Sequence, residues 1–349
     1  SPITISMPSV DTAMYYRDDI PFFAFDNDNK YAASSSSSSP AVSSSSSSSP
    51  VIDCTLPWVK DNDLNMKHQN DNDNEDVVHY LEHWNWQVAY FQQHLTNFRL
   101  SETPADEEED DELQDLMSIH HPEKQQRVYT VSYTSDEYRD IRMTYMSFPG
   151  SQVFRCLCYP NPTPPTQRSS GCVPILGMGM MKFGNKNNMA VLDYQPLPTT
   201  SPAVRTQFET ELRRIRNTYP TMTHPMSQNH FEAGEERQYF TDIPLMTKWE
   251  DHPEDAQYRT ELRQAQQDYV QSHIRLTQQQ QQQQPLESQQ THPKHAATEE
   301  DILQVHADFD TYVSQKEPAG RVLMGALGKE LGHAITHRVI FPLSRNVLH

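Results

Sequence analysis

The stretch VFRCLCYP (Val153–Pro160), followed after a Pro-rich hinge by CVPILGMGMMKFGNKNNMAVLDYQPL (Cys172–Leu197), decides the fold. It holds three apolar runs, each short enough to be a strand. Val153–Tyr159 sets one charge, Arg155, inside an otherwise apolar run. Val173–Phe183 is apolar almost throughout, as expected of a strand covered on both faces. Met189–Leu192 leads into Asp193, Gln195 and Pro196. The sequence Gly184-Asn185-Lys186-Asn187 is a turn signal, so the last two runs are predicted to form a hairpin. Arg155 and Asp193 are then ionisable groups at or near the centre of a sheet, where a charge is costly unless it is paired or used.

Upstream, Arg127–Phe148 supplies two more strand candidates, VYTVSYT with period-two alternation and IRMTYMSF, the latter closed by the turn Pro149-Gly150. Short links between consecutive strands imply antiparallel pairing, because parallel pairs need long crossovers. Gln238–Trp249 is a candidate sixth strand. Downstream the period changes. Phe208, Leu212, Ile215 and Tyr219 share one helical face that ends before Pro220. Further helices are predicted over Pro253–Thr277, Ile302–Gln315 and from Pro318 towards Phe341. Strands first and helices afterwards predict a three-layer α/β/α sandwich with a central, mostly antiparallel sheet flanked by helices.

The rest of the chain is less regular. Among its 349 residues, 35% are hydrophobic, and it holds 25 Pro against 10 Gly, which argues that part of it is unfolded. Residues 1–75, with the serine runs Ser34–Ser39 and Ser43–Ser49, are expected to be a disordered extension. Residues 76–126 read as an amphipathic helix over Asp76–Leu100, through Val77, Leu81, Trp84, Val88, Phe91, Leu95 and Phe98, followed by an acidic solvated linker at Asp106–Glu112. Residues 127–349 read as the main domain, with a disordered Gln-rich insertion at 278–298.

The net charge is −19, and residues 1–126 hold 6 basic against 23 acidic residues, a balance of −17. The remainder, with 22 and 24, is close to neutral. That sign excludes a nucleic-acid partner. No apolar run is long enough for a transmembrane helix. The four cysteines are Cys54, Cys156, Cys158 and Cys172. Cys156 and Cys158 share a strand face and read as buried reduced thiols, with no fourth ligand spaced for a metal. There is no G-x-G-x-x-G, P-loop, H-E-x-x-H or G-x-S-x-G. A redox enzyme of this composition must take its electrons from outside.

The ordered series V-P-I-L-G, K-F-G and A-V-L-D-Y-Q-P-L, preceded by a strand ending in Y-P, resembles the ferredoxin-dependent bilin reductases. The resemblance runs from about Tyr129 to Leu343. It implies the three-layer fold, a pigment held between the sheet and the C-terminal helices, no bound cofactor, and single electrons from reduced ferredoxin. The implied reaction is reduction of a linear tetrapyrrole, 15,16-dihydrobiliverdin to phycoerythrobilin. A phytochromobilin- or phycocyanobilin-type reductase acting on biliverdin is the alternative. A plastid stromal location, a mature form freed of a targeting segment, and a second bilin reductase handing over substrate are further implications.

Residue by residue, Asp193 matches the family outright. Arg155 stands where members carry His or Asn. Gly179 replaces an acidic residue or Asn, and Glu317 replaces Asp. The candidate catalytic residues are therefore Glu317 and Asp193. Asp193 beside Arg155 is expected to have a lowered pKa and to be a poor acid, which favours Glu317 as the proton donor. Candidate substrate-binding residues are Arg155, Met178, Met180 and Gln195. Arg213, Arg214 and Arg216 are candidates for an acidic ferredoxin, against the plainer reading of a solvated helix face. Asp193 as a strand-end cap, Arg155 as its ion-pair partner, and Glu317 as a helix-start acid all remain open. His333 and His337, at i and i+4, read as a polar face rather than a metal pair. The loss of the acid at Gly179 also fits a catalytically weak bilin carrier. A pure interaction protein, acting through its low-complexity tails, is the third class.

Overall fold

In the computed structural model, residues 80–101, 107–161, 172–184, 187–222, 238–250, 256–282, 299–316 and 318–345 are described. The expected N-terminal extension, the insertion beyond Gln282 and Glu317 lie outside the described residues. In chain order the elements are α1 (Leu81–His94), β1 (Arg99–Leu100), α2 (Glu107–Met117), β2 (Ser118–His121), β3 (Gln126–Thr134), β4 (Tyr138–Phe148), β5 (Ser151–Pro160), β6 (Ile175–Phe183) and β7 (Asn187–Gln195). Then follow α3 (Pro202–Thr218), β8 (Leu245–Glu250), α4 (Ala256–Gln282), α5 (Glu299–Lys316), α6 (Pro318–Leu327), α7 (Lys329–Ala334) and a π-helical turn over Ile335–Ile340.

The apolar runs pair as a meander in the order β3-β4-β5-β6-β7-β8, with β1 and β2 both on the outer edge of β3. Every pairing is antiparallel. Strand period two then assigns the faces. One face carries Tyr133, Tyr145, Phe154, Cys156, Leu176, Met178, Met180, Leu192 and Tyr194 and packs with α1, α3 and α4 into the main core. The opposite face carries Arg142, Thr144, Arg155, Gly177, Gly179, Asp193 and Gln195, and it meets α5 and the C-terminal segment. The three-layer sandwich follows from those two coverings.

Helix α3 forms where its spacing predicts. Ser201 caps it by accepting the Val204 N–H, Pro202 occupies the first turn, and Val204, Phe208, Leu212 and Ile215 are buried.

Four elements differ from the sequence expectation. Helix α1 stops at His94 because Asn97 takes a left-handed backbone, φ 55°, and turns the chain into β1. Phe98 thus packs from that turn, stacked 4.8 Å from Tyr133, and not from the helix. The acidic stretch is not a linker: Glu107–Met117 is helical and buries Leu116, since Glu and Leu are good helix formers. Helix α4 runs five residues into the glutamine tract, through Gln282. There Gln278 Nε2 donates to the His94 carbonyl at 3.0 Å and Gln280 Nε2 to Gln207 Oε1 at 2.6 Å, so tertiary bonds hold what composition alone assigns to disorder. The helix expected from Pro318 towards Phe341 is broken at Gly328, whose φ of 93° no other residue type adopts without strain.

Among the described residues Cys156, Cys158 and Cys172 form no disulfide, with Cys156 Sγ and Cys158 Sγ 3.6 Å apart on the core face. No described helix is long and apolar enough to cross a membrane.

Candidate active site

The face of the sheet under α5 and the C-terminal segment carries an unusual density of polar groups for a strand surface. Register sets them in rows. Thr130, Thr144, Arg155, Gly179 and Val191 form one row, and Arg142, Leu157, Gly177 and Asp193 the next. Partners directly opposite share a face, so Arg155 lies beside Gly179 and Asp193 beside Gly177.

Asp193 is 1% exposed. Thr241 reaches both of its oxygens. Thr241 Oγ1 donates to Oδ1 at 2.5 Å, and the Thr241 N–H donates to Oδ2 at 2.9 Å. Burial raises the carboxyl to about 7, outweighing the Thr241 and Tyr194 hydrogen bonds that pull it down. The ion pair with Arg155 considered from the sequence does not form: the two side chains stand on different rows, two strands apart. The expectation of a lowered Asp193 pKa is therefore overturned, and Asp193 is the carboxyl poised to hold a proton near neutrality. Nor does it cap its own strand end. It ties β7 to the loop at 238–244, where Tyr239 stacks on Tyr312 of α5 at 4.8 Å.

Arg155 is 7% exposed, and its guanidinium carbon lies 4.5 Å over the centre of the Phe341 ring. Nearby, Arg142 pairs with Asp140 and donates from Nη1 to the Ile340 carbonyl at 2.6 Å. The Tyr159 hydroxyl donates to Asp310 Oδ1 at 2.5 Å, and burial lifts the Asp310 carboxyl above its ordinary range. Thr241, Phe341, Tyr159 and Asp310 were not singled out in the sequence.

The two glycines of β6 behave oppositely. A Cβ on Gly177 would enter the Gln195 side-chain amide, 2.5 Å from its Cδ. A Cβ on Gly179 would meet only Met181 Cε, at 4.0 Å. Gly177 is filled by Gln195, whose buried Oε1 has no hydrogen-bond partner among the described residues, while Gly179, across from Arg155, has only Met181 Cε near the place of a Cβ among them. We expect Gly179→Asp to fold with the wild-type melting temperature, whereas Gly177→Ala costs about 1–3 kcal/mol from overpacking. Equal melting temperatures for the two variants would show that Gln195 simply moves aside.

Other expected site residues are placed elsewhere. Met178 and Met180 have the opposite strand parity from Gly177 and Gly179, so they lie in the α1/α3/α4 core and not on the Arg155 face. Their expected contact with a pigment on that face is withdrawn. Arg213 and Arg214 sit on α3, on that same far side, and pair with Glu209 at 3.2 Å and Glu211 at 2.9 Å. Arg275 adds a further bond to Glu211. Arg213 and Arg214 are thus charge-paired on the side of the sheet away from Asp193 and Arg155, which weakens the case for them as the ferredoxin contact. His333 and His337 are adjacent, 4.3 Å between ring centres, and line a cavity of about 100 Å³ with Arg321 and Ser314. Among the described residues no group of three or more His, Cys, Asp or Glu side chains stands together as a metal site.

A buried carboxyl raised to about 7 and a buried arginine thus share a sheet face that carries two glycines and is covered by the C-terminal layer. The fold is shared with the crystal structure of phytochromobilin synthase from tomato in complex with biliverdin, at a TM-score of 0.54 and 16% identity over 76% of this chain and 83% of that one. Residues 93–342 match the ferredoxin-dependent bilin reductase family, and the chain belongs to it. It is thus an oxidoreductase that reduces a bilin with electrons from ferredoxin. A curated relative, 15,16-dihydrobiliverdin:ferredoxin oxidoreductase of Nostoc punctiforme, is 26% identical over 60% of this chain and 76% of its own length. The protein of the same name from Gloeobacter violaceus is 31% identical over 33% of this chain and 43% of its own.

Proposed function

We propose that this protein reduces 15,16-dihydrobiliverdin to phycoerythrobilin. Two reduced ferredoxins give one electron each, and two protons complete the addition across one double bond. The observation that carries the reading is Asp193: a carboxyl held at about 7 by burial, on the sheet face that the C-terminal layer covers. It donates the first proton as the pigment gains charge, because a protonated tetrapyrrole accepts an electron more readily. Arg155 binds a propionate or lactam oxygen, and the orphaned Gln195 amide oxygen accepts from a pyrrole N–H. Glu317, in the position of a family acid, is the second proton source. A plastid location fits the need for ferredoxin, and the N-terminal low-complexity segment is dispensable for the reaction.

A second reading takes biliverdin as substrate. The relatives' name sets 15,16-dihydrobiliverdin as electron donor and ferredoxin as acceptor, so in the ferredoxin-driven direction that pigment is the product, which favours this reading.

Anaerobic incubation with reduced ferredoxin and each pigment alone separates the readings. We expect the absorbance of 15,16-dihydrobiliverdin to shift to that of product while biliverdin binds unchanged. Turnover of biliverdin alone would reassign the substrate. Binding of both without turnover would make the protein a carrier, which the glycine at position 179 already allows.

A further inference from the structure

Residues 340–345 form a strap over the sheet face that carries Arg142 and Arg155, and β4, α5 and the π-helical turn hold it. Arg142 of β4 donates to the Ile340 carbonyl at 2.6 Å. Asp310 of α5 accepts the Leu343 N–H at 3.2 Å on one oxygen while the other takes the Tyr159 hydroxyl of β5. Thr311 Oγ1 accepts the Arg345 N–H at 2.9 Å, and His337 of the π-helical turn shares a 2.8 Å hydrogen bond with Ser344. Two buried charged groups, Arg142 and Asp310, are thus assigned to fixing a short piece of backbone. The one large side chain that this anchorage places on the sheet is Phe341, fully buried, against the guanidinium of Arg155.

We propose that Phe341 is the positioning residue for Arg155 in pigment binding. An aromatic ring over one face of a guanidinium fixes its plane and so the directions of its in-plane N–H donors, among them the buried Nη1, which makes no hydrogen bond among the described residues. Arginine is otherwise a long, rotamer-rich side chain, and ordering it at the moment of binding opposes affinity. The strap removes that cost beforehand. The neighbouring position supports the arrangement. Gly179, directly across from Arg155, puts no side chain into the space beside it. Arg155 is thus backed by a ring on one side and flanked across the strand pair by a residue without a side chain.

This inference rests on the reading of Arg155 as a pigment contact, and a double-mutant cycle tests the two separately. Binding of 15,16-dihydrobiliverdin and of biliverdin is measured by absorbance titration in wild type, Phe341→Leu, Arg155→Met and the double variant, with melting temperature recorded for each. Phe341→Leu is expected to weaken pigment binding about 3- to 30-fold, the range of a partly desolvated cation–π contact. It should raise KM more than it lowers kcat and broaden the bound pigment's red band. Phe341→Trp should restore binding. In the Arg155→Met background Phe341→Leu should cause no further loss, because the ring then has no guanidinium to hold. Loss of binding in Arg155→Met with none in Phe341→Leu would overturn the positioning role alone. An equal loss from Phe341→Leu in both backgrounds would reduce Phe341 to core packing and overturn it too. Normal binding in Arg155→Met would remove the Arg155 reading and this inference together. If Phe341→Leu melts before binding is measurable, Phe341→Trp decides: unchanged pigment affinity and band shape support the role, and a loss as large as that in Arg155→Met overturns it.

Discussion

Asp193→Asn is expected to slow bilin reduction by about 10²–10⁴-fold, the loss typical of a general acid, with pigment affinity unchanged. The amide preserves the fold locally. Its oxygen accepts the Thr241 N–H and its NH₂ donates to the Thr241 hydroxyl, which is as good an acceptor as it is a donor. What disappears is the titrating proton. The wild-type rate should fall as pH rises through about 7, where the Asp193 carboxyl loses that proton, and the variant should lack that limb. Stability carries the same signature. Asp193 has an ordinary value of 3.8 and a folded value of about 7. The folded chain therefore holds a proton that the unfolded chain releases between those two values. Stability is greatest below the lower one and falls as pH rises through the upper, by about 4 kcal/mol in all. Asp193→Asn should flatten this slope. Anaerobic single-turnover kinetics with reduced ferredoxin, run beside Glu317→Gln, decide the assignment. Wild-type rates in Asp193→Asn with a slow Glu317→Gln would return the donor role to Glu317.

That comparison reverses the order in which the two acids stand on sequence grounds, for a definable reason. Arg155 and Asp193 are both visible as charges inside apolar strands, and the sheet they belong to is legible from alternation and turns. Whether they meet depends on register. The register between β5, β6 and β7 depends in turn on loop lengths that composition does not give. A slip of one residue would exchange Gly177 and Gly179 for Met178 and Met180 on the cleft face. That is why the methionines pass for pigment contacts in the sequence and lie in the opposite core in the structure. Long-range partners are hidden more deeply. Thr241 stands 48 residues from Asp193, and Asp310 151 residues from Tyr159, and neither pair leaves a local signal. The acidic stretch fails differently: a run of like charge reads as solvated chain, and its few apolar residues, such as Leu116, are too sparse to show a period.

The C-terminal layer is where a single atom should have the largest effect on stability. In Gly332→Ala the added Cβ would lie 2.5 Å from the Met324 nitrogen, 2.6 Å from its Cα and 2.7 Å from the Leu323 carbonyl carbon. All three are backbone atoms of α6, so no rotamer relieves the contact, and α7 must part from α6. Overpacking of this kind costs about 1–3 kcal/mol when side chains can yield, so a clash with backbone belongs at or above the upper end. For a folded body of this size, that lowers the melting temperature by roughly 6–12 °C. The companion substitution Gly320→Ala serves as the control. Its Cβ would meet only the Thr336 side chain, at 3.3 and 3.4 Å, which a small rotation accommodates. We expect a shift within about 3 °C for it. Gly332 of α7 faces the α6 backbone, while Gly320 of α6 faces a side chain of the π-helical turn, so the contrast isolates backbone contact from loss of a glycine. Pigment binding should fall further in Gly332→Ala than stability alone requires. Helix α7 leads directly into the π-helical turn and the strap, and its displacement carries Phe341 away from Arg155. Thermal melts and bilin titrations on both variants test the chain of consequence, and equal melting temperatures for the two would show that α6 and α7 are not locked by this contact.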